Sequence, residues 1–208
     1  MYHGEKFNSI THLIGAVFAL VGFGALLTVS LKQNNWTTIV SFTVFGLTLV
    51  MLYTMSTLYH SFHPPKLKRL FQKLDHISIY LLIAGTYTPY MMVSLWEGNG
   101  PFMLLIIWSL AVLGLLLDLI VKQRIEILQI LIYLLMGWIC TVEYSSLRDS
   151  IAKPGIVWLT IGGITYTVGI IFYVLDHMKK LRHAHGIWHL FVLVGSMSHF
   201  ISIIGYVR

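Results

Sequence analysis

FNSITHLIGAVFALVGFGALLTVSL, from Phe7 to Leu31, runs for 25 residues without one Asp, Glu, Lys or Arg. A bilayer's hydrocarbon core is crossed by about 20 mainly apolar residues in a helix, so this stretch is long enough to span it. It does not stand alone. Charge-free runs recur at Gln33–Pro65, His76–Trp96, Gly98–Leu117, Ile127–Val142, Pro154–Leu175 and His183–Val207. Strands of a membrane barrel would alternate over about ten residues, whereas these runs are continuous and mostly about twice as long. The expected fold is an all-α integral membrane protein, a seven-transmembrane helical bundle in one domain, 1–208. Its spans are predicted near 7–31, 36–62, 75–96, 101–121, 126–147, 155–176 and 184–206. The fifth is the shortest and is expected to continue past Glu143 to about Leu147.

Composition agrees, with 57% apolar and only 11% charged residues. The first run is too long for a signal peptide and shows no small-residue cleavage site before Lys32, so it is read as a retained span. Cys140 lies inside a span and has no second cysteine to pair with. The net charge of +6 is unevenly placed. Ten basic residues (Lys6, Lys66, Lys68, Arg69, Lys73, Lys122, Arg124, Lys179, Lys180 and Arg182) fall on the N-terminal side of the membrane. Four (Lys32, Arg148, Lys153 and Arg208) fall on the other. Positive charge collects in the cytoplasm, so the N-terminus is expected inside and the C-terminus outside. The basic excess reports topology and some affinity for anionic head groups, and nucleic acid is not an expected partner.

Short connections at Pro64–Gln72, Glu97–Gly100 and Lys122–Glu126 suit antiparallel neighbours in one bundle. Gly15, Gly22, Gly24, Ala84, Gly85, Gly162 and Gly163 are read as close-packing positions. Pro89 removes a helical hydrogen bond and is expected to disturb the third span. Trp36, Trp96, Trp108 and Trp158 lie at or within two turns of the predicted boundaries, where indole rings favour the interface.

Ionisable residues inside spans are expensive and are rarely there without a role. On this topology they gather at one depth. Glu5, Asn8 and His12 share a face where span one starts. Ser56 and His60 share a face where span two ends, and Asp75 and His76 open span three. Asp176 and His177 close span six, and His185 and His189 open span seven. Helices running in opposite directions thus deliver polar groups to one layer. His199 lies 14 residues beyond His185, roughly 21 Å along a helix, and is read as a packed or interfacial histidine.

His185 and His189, four apart, stand on one helical face, a spacing shared by metal ligands and by plain interfacial or hydrogen-bonding pairs. With His60 they supply three nitrogen ligands suited to zinc, leaving a fourth position for water, whose pKa zinc lowers to about 7. Asp75 would hold or deprotonate that water, and Ser56 would bond it or a substrate carbonyl. His63, His76, His177 and His183, nearer the basic loops, are read as interfacial. The Glu5, Asn8 and His12 face either caps the site or is a hydrogen-bonded helix start; the structural role is the favoured reading.

Glu5-x-x-Asn8-x-x-Thr11-His12-x-x-Gly15, Ser56-x-x-x-His60, Leu74-Asp75-His76, Gly85-Thr86-Tyr87-Thr88-Pro89 and His185-x-x-x-His189 together resemble the bacterial hemolysin III-like branch of the progestin and adipoQ receptor family. The wider superfamily includes adiponectin receptors and alkaline ceramidases, and the resemblance covers nearly the whole chain. It implies seven helices with the N-terminus inside, in a bacterial plasma membrane. It also implies a zinc ion near the cytoplasmic side on His60, His185 and His189, with Asp75 and Ser56 around its water. The function it implies is a zinc-dependent hydrolase of an amide or ester in a membrane lipid, serving lipid homeostasis. Two alternatives stay open: a membrane sensor or receptor-like protein with structural zinc, and a pore-forming cytolysin. The second is disfavoured because the spans show no charged stripe suited to a pore.

Overall fold

The computed structural model describes residues 4–121 and 125–208. Among the described residues eight α-helices follow one another: α1 Lys6–Gln33, α2 Trp36–Ser61, α3 Pro65–Pro89, α4 Gly100–Ile120, α5 Glu126–Trp138, α6 Tyr144–Ser150, α7 Lys153–His177 and α8 Ala184–Tyr206. No strand occurs among the described residues. Seven membrane-length apolar segments result, because α3 continues into a π-turn at Tyr90–Ser94 and α5 joins α6 through a 3-10 turn at Ile139–Glu143. Lys122 and Arg124, two of the basic loop residues, lie outside the described residues.

Chain chemistry sets the ends. Asn34 takes the left-handed conformation that closes α1, with φ 50°. Asn35 then caps α2, its Oδ1 accepting from the Thr37 backbone N–H at 2.9 Å. Pro65 opens α3 at a position where a missing N–H costs nothing. Residues 65–72, expected to be loop, are therefore helix. Their charges mark where the apolar layer ends, whereas the hydrogen-bonded helix continues beyond it. Past Pro89 the ladder widens by one residue, and the Leu95 N–H reaches the Tyr90 carbonyl at 3.0 Å. The fifth span passes Glu143 as expected and runs to Ser150, but it is broken by the 3-10 turn. Glu143 accepts from Asn99 Nδ2 at 2.7 Å and Ser146 Oγ at 2.8 Å.

The helices close a ring in which α1 packs on α2 and α8, α2 on α3, α3 on α4 and α5, α5 on α7, and α7 on α8. Helix α3 is the least apolar span and the most enclosed, with 67% of its apolar window buried against 22% for α1. A helix shielded by its neighbours can carry polar residues that a lipid-facing one cannot. Phe18 and Val21 of α1, 70% and 68% exposed, belong to the lipid-facing coat. Close approaches need glycine at two positions in particular. A Cβ on Gly15 would meet the Tyr53 ring, and one on Gly162 would overlap the His199 ring. Trp108 departs from the interfacial reading, since its indole N–H turns inward to Thr88 Oγ1 at 3.2 Å.

Candidate metal centre

Four helix ends converge where α1 begins, α2 finishes, α7 finishes and α8 begins. His60 comes from the last turn of α2, and His185 and His189 from the first two turns of α8. One nitrogen from each lies within 4.8 Å of the others, a group that could hold a metal ion. Their ring centroids form a near-equilateral triangle, with sides of 5.0, 4.9 and 4.8 Å. His60 and His189 are buried, and His185 is partly open.

The outer partners fix the tautomers. His60 Nδ1 lies 2.7 Å from Glu5 Oε2, and His185 Nδ1 lies 3.1 Å from Asp176 Oδ2. A carboxylate accepts, so each Nδ1 donates. His189 Nδ1 is 3.2 Å from both the Asn8 carbonyl and Thr11 Oγ1. The Thr11 hydroxyl already donates to backbone carbonyls, so His189 Nδ1 is again the donor. Every Nε2 is left as a bare lone pair. In His60 that atom is buried and has no hydrogen-bond partner. Histidine ligands to metals are oriented in this way, with Nδ1–H held by a carboxylate or carbonyl.

Glu5 also accepts from Asn8 Nδ2 at 2.9 Å and faces Lys68 Nζ at 3.5 Å. The His60 hydrogen bond holds its carboxyl down at about 2, outweighing the opposing effect of partial burial; the Asn8 amide and the Lys68 ammonium add to it. Of the two readings of the Glu5, Asn8 and His12 face, capping of the site is the one the contacts support. His12 stacks on His189, with centroids 3.6 Å apart and planes 11° from parallel, and it meets Tyr53 edge-on at 5.1 Å.

A cavity of about 290 Å³ runs from this cluster into the bundle. Ser56 and Asp75 stand in its wall with His12, His185 and His189, and most of the remaining wall is apolar or aromatic. Ser56 is buried. His76, read as interfacial, lines the same cavity. His177 does keep to the rim, its Nδ1 paired with Glu126 Oε2 at 2.7 Å. His183 is exposed in a left-handed turn before α8, with φ 63°. His199 is packed, its ring against Gly162 and its Nε2 3.2 Å from the Leu159 carbonyl. Glu5, Thr11 and Asp176, which orient the three histidines, have no spacing to one another that announces the role. Glu5 and Thr11 stand in the motif Glu5-x-x-Asn8-x-x-Thr11-His12 and Asp176 at the histidines' depth, but neither signal says which histidine each one holds.

A family model described as haemolysin-III related matches residues 1–200. Hemolysin-3 of Bacillus cereus is 41% identical over 98% of this chain and 91% of its own length. The Hemolysin-3 homolog of Bacillus subtilis (strain 168) is 39% identical, covering 97% and 93%. The Homo sapiens monocyte to macrophage differentiation factor is 28% identical over 94% of this chain and 81% of its own length. No solved structure matches.

Proposed function

The chain belongs to the haemolysin-III related family, an integral bacterial membrane protein of seven apolar spans, and from that premise we propose that it is a zinc-dependent hydrolase that cleaves an amide or ester bond of a membrane lipid and so serves membrane-lipid homeostasis. The observation that carries this reading is the convergence of three imidazoles at one end of a long, mainly apolar cavity that also presents a carboxylate and a hydroxyl. Zinc fits the donor set, because three neutral nitrogens with their Nδ1–H groups already committed suit zinc better than the oxygen-seeking magnesium or calcium. Held by His60, His185 and His189 with one position open, it would supply Lewis acidity and activate water at neutral pH.

The protein's own groups would do the rest. The apolar wall holds the lipid chain and excludes bulk water. Ser56 donates a hydrogen bond to the scissile carbonyl oxygen. Asp75 takes a proton from the attacking water as its oxygen bonds to the carbonyl carbon. It then returns that proton to the leaving nitrogen or oxygen as the old bond breaks, giving a carboxylic acid and an amine or alcohol. The cluster shares its end of the bundle with Lys66, Arg69 and Lys73 at the start of α3, which supports a site facing the cytoplasmic leaflet.

The test is turnover of a panel of ceramide-like and acyl lipids by purified, metal-analysed protein. Wild type should carry about one zinc and cleave one lipid class, and Asp75→Asn should keep the zinc and lose the turnover. A metal-loaded wild type that cleaves nothing would favour a sensor or receptor-like protein with structural zinc. Ion leakage from liposomes that is insensitive to Asp75→Asn would favour a pore.

A further inference from the structure

Of the helix pairs that close the ring, α5 and α7 touch least among the described residues. The fifth span is also the least enclosed of the seven, with 11% of its apolar window buried. The cavity wall is mostly buried or half-buried. Its exposed members, among the described residues, are Gly137, Trp138, Thr141 and Tyr144 on the fifth span and Thr160 on α7. All five flank the one seam. A Cβ on Gly137 would meet nothing within 4 Å, and one on Gly163 would meet only the rim of the Trp138 indole, at 3.9 Å. At other seams Gly15, Gly114 and Gly162 each lie against a ring. Away from the three histidines, a polar network closes the α8 side, where Tyr53 and Tyr166 both bond Ser196 Oγ at 2.8 and 2.7 Å.

Two side-chain contacts hold this thinly packed seam together. In the middle of the fifth span, Trp138 Nε1 donates to Thr167 Oγ1 at 3.0 Å. Where α5 begins and α7 ends, His177 Nδ1 meets Glu126 Oε2 at 2.7 Å. The two contacts lie roughly 18 Å apart along α5 at 1.5 Å per residue. Between them Tyr133 and Leu134 of α5, and Ile170 and Tyr173 of α7, line the cavity. His177 follows Asp176, the partner of His185, so the lower contact stands beside the metal centre. Just past Trp138 the helix gives way to the 3-10 turn, the kind of interruption at which a helix can bend.

A lipid that reached the cavity through water would first expose its chain, at a cost that grows with every methylene. One that slides between α5 and α7 never leaves apolar surroundings. We infer that the α5–α7 seam is the door through which the cavity exchanges a single-chain lipid with the bilayer, and that the Trp138–Thr167 and Glu126–His177 contacts are its two latches. The inference rests on the proposed function for the lipid character of the ligand alone; it needs neither metal nor turnover.

Full-length protein in nanodiscs is the material and a fluorescent fatty acid the probe, with its binding and release followed by stopped flow. Trp138→Phe removes the donor of the upper latch and Thr167→Val its acceptor. Each should quicken both association and dissociation by about fivefold, the factor that one hydrogen bond is worth in a rate. A variant that had merely lost affinity would release faster without binding faster. The reverse test locks the door. Glu126→Cys with His177→Cys, in a Cys140→Ser background, is joined by a short bismaleimide, and exchange should slow by about tenfold or more relative to the same protein with its thiols capped singly. Exchange at the capped rate after linking overturns the inference, as does unchanged association in both latch variants. If Trp138→Phe fails to fold, Thr167→Val, which keeps the side chain's shape, decides. Failure of wild type to bind the fatty acid at all overturns the lipid-cavity reading and this inference with it. Slowed exchange in a linked protein whose wild type hydrolyses nothing supports the door and sinks only the hydrolase.

Discussion

Glu5, in the turn before the first helix, holds Nδ1 of His60, in the last turn of the second, at 2.7 Å. The contact does two things at once. It fixes His60 with Nε2 bare, and it places a negative charge behind a ring that would donate its lone pair to a cation. Partners of this kind typically contribute 10–100-fold to metal affinity. Glu5→Gln keeps the shape and removes the charge, so zinc affinity should fall by about that factor while the helical circular dichroism stays unchanged. Competition with a chelator of known affinity measures it. Unaltered affinity would mean that Glu5 serves only the helix start.

Metal removal should destabilise the wild type. Any ligand that binds the folded state alone adds stability that grows with its concentration over Kd, about 2.7 kcal/mol at a hundredfold excess. Chelation should therefore lower the Tm of wild type and leave that of His189→Ala nearly unchanged. The three rings come from α2 and α8, both of which pack on α1, so the loss should be felt across that corner of the bundle. A Tm indifferent to chelator in both proteins would indicate that the histidines bind no ion.

His12 gives a different expectation. Its ring is 3% exposed, stacked on His189, and neither nitrogen has a hydrogen-bond partner. Two buried, unpaired polar atoms cost about 1–3 kcal/mol each unless something visits them. His12→Phe keeps the stacking surface and removes both atoms. The variant should melt no lower than wild type and bind as much added zinc as wild type does, and a lower Tm would show that the His12 nitrogens are paired in the membrane.

How much of this was legible beforehand follows from the range of each interaction. The seven spans could be read because hydropathy and length are properties of one segment at a time. His60, His185 and His189 could be placed at one depth because helical rise converts sequence number into height. Height says nothing about azimuth, so Glu5 against His60 and His12 against His189, 55 and 177 positions apart, were beyond the sequence. For the same reason the sequence alone reads His76 as interfacial, although its helix turns it toward the cavity. The start of α3 is hidden from a hydropathy reading because Lys66, Lys68 and Arg69 end the apolar layer without ending the helix.

Two glycines of α1 offer a paired test of the packing. A Cβ on Gly24 would meet nothing within 4 Å, whereas one on Gly15 would strike Tyr53 and Leu193. In water, Gly→Ala at an open helical site stabilises by up to about 1 kcal/mol through the unfolded chain. In a membrane the separated helix remains a helix, so most of that gain is absent. Gly24→Ala should therefore be close to neutral. Gly15→Ala should push the Tyr53 ring off its place against His12 and cost about 1–3 kcal/mol, the usual range for overpacking. Because Tyr53 also bonds Ser196, the displacement should reach the distal polar network as well. Thermal melts of the two variants in the same nanodisc decide the matter, and equal Tm values would show that α1 and α2 are free to separate at Gly15.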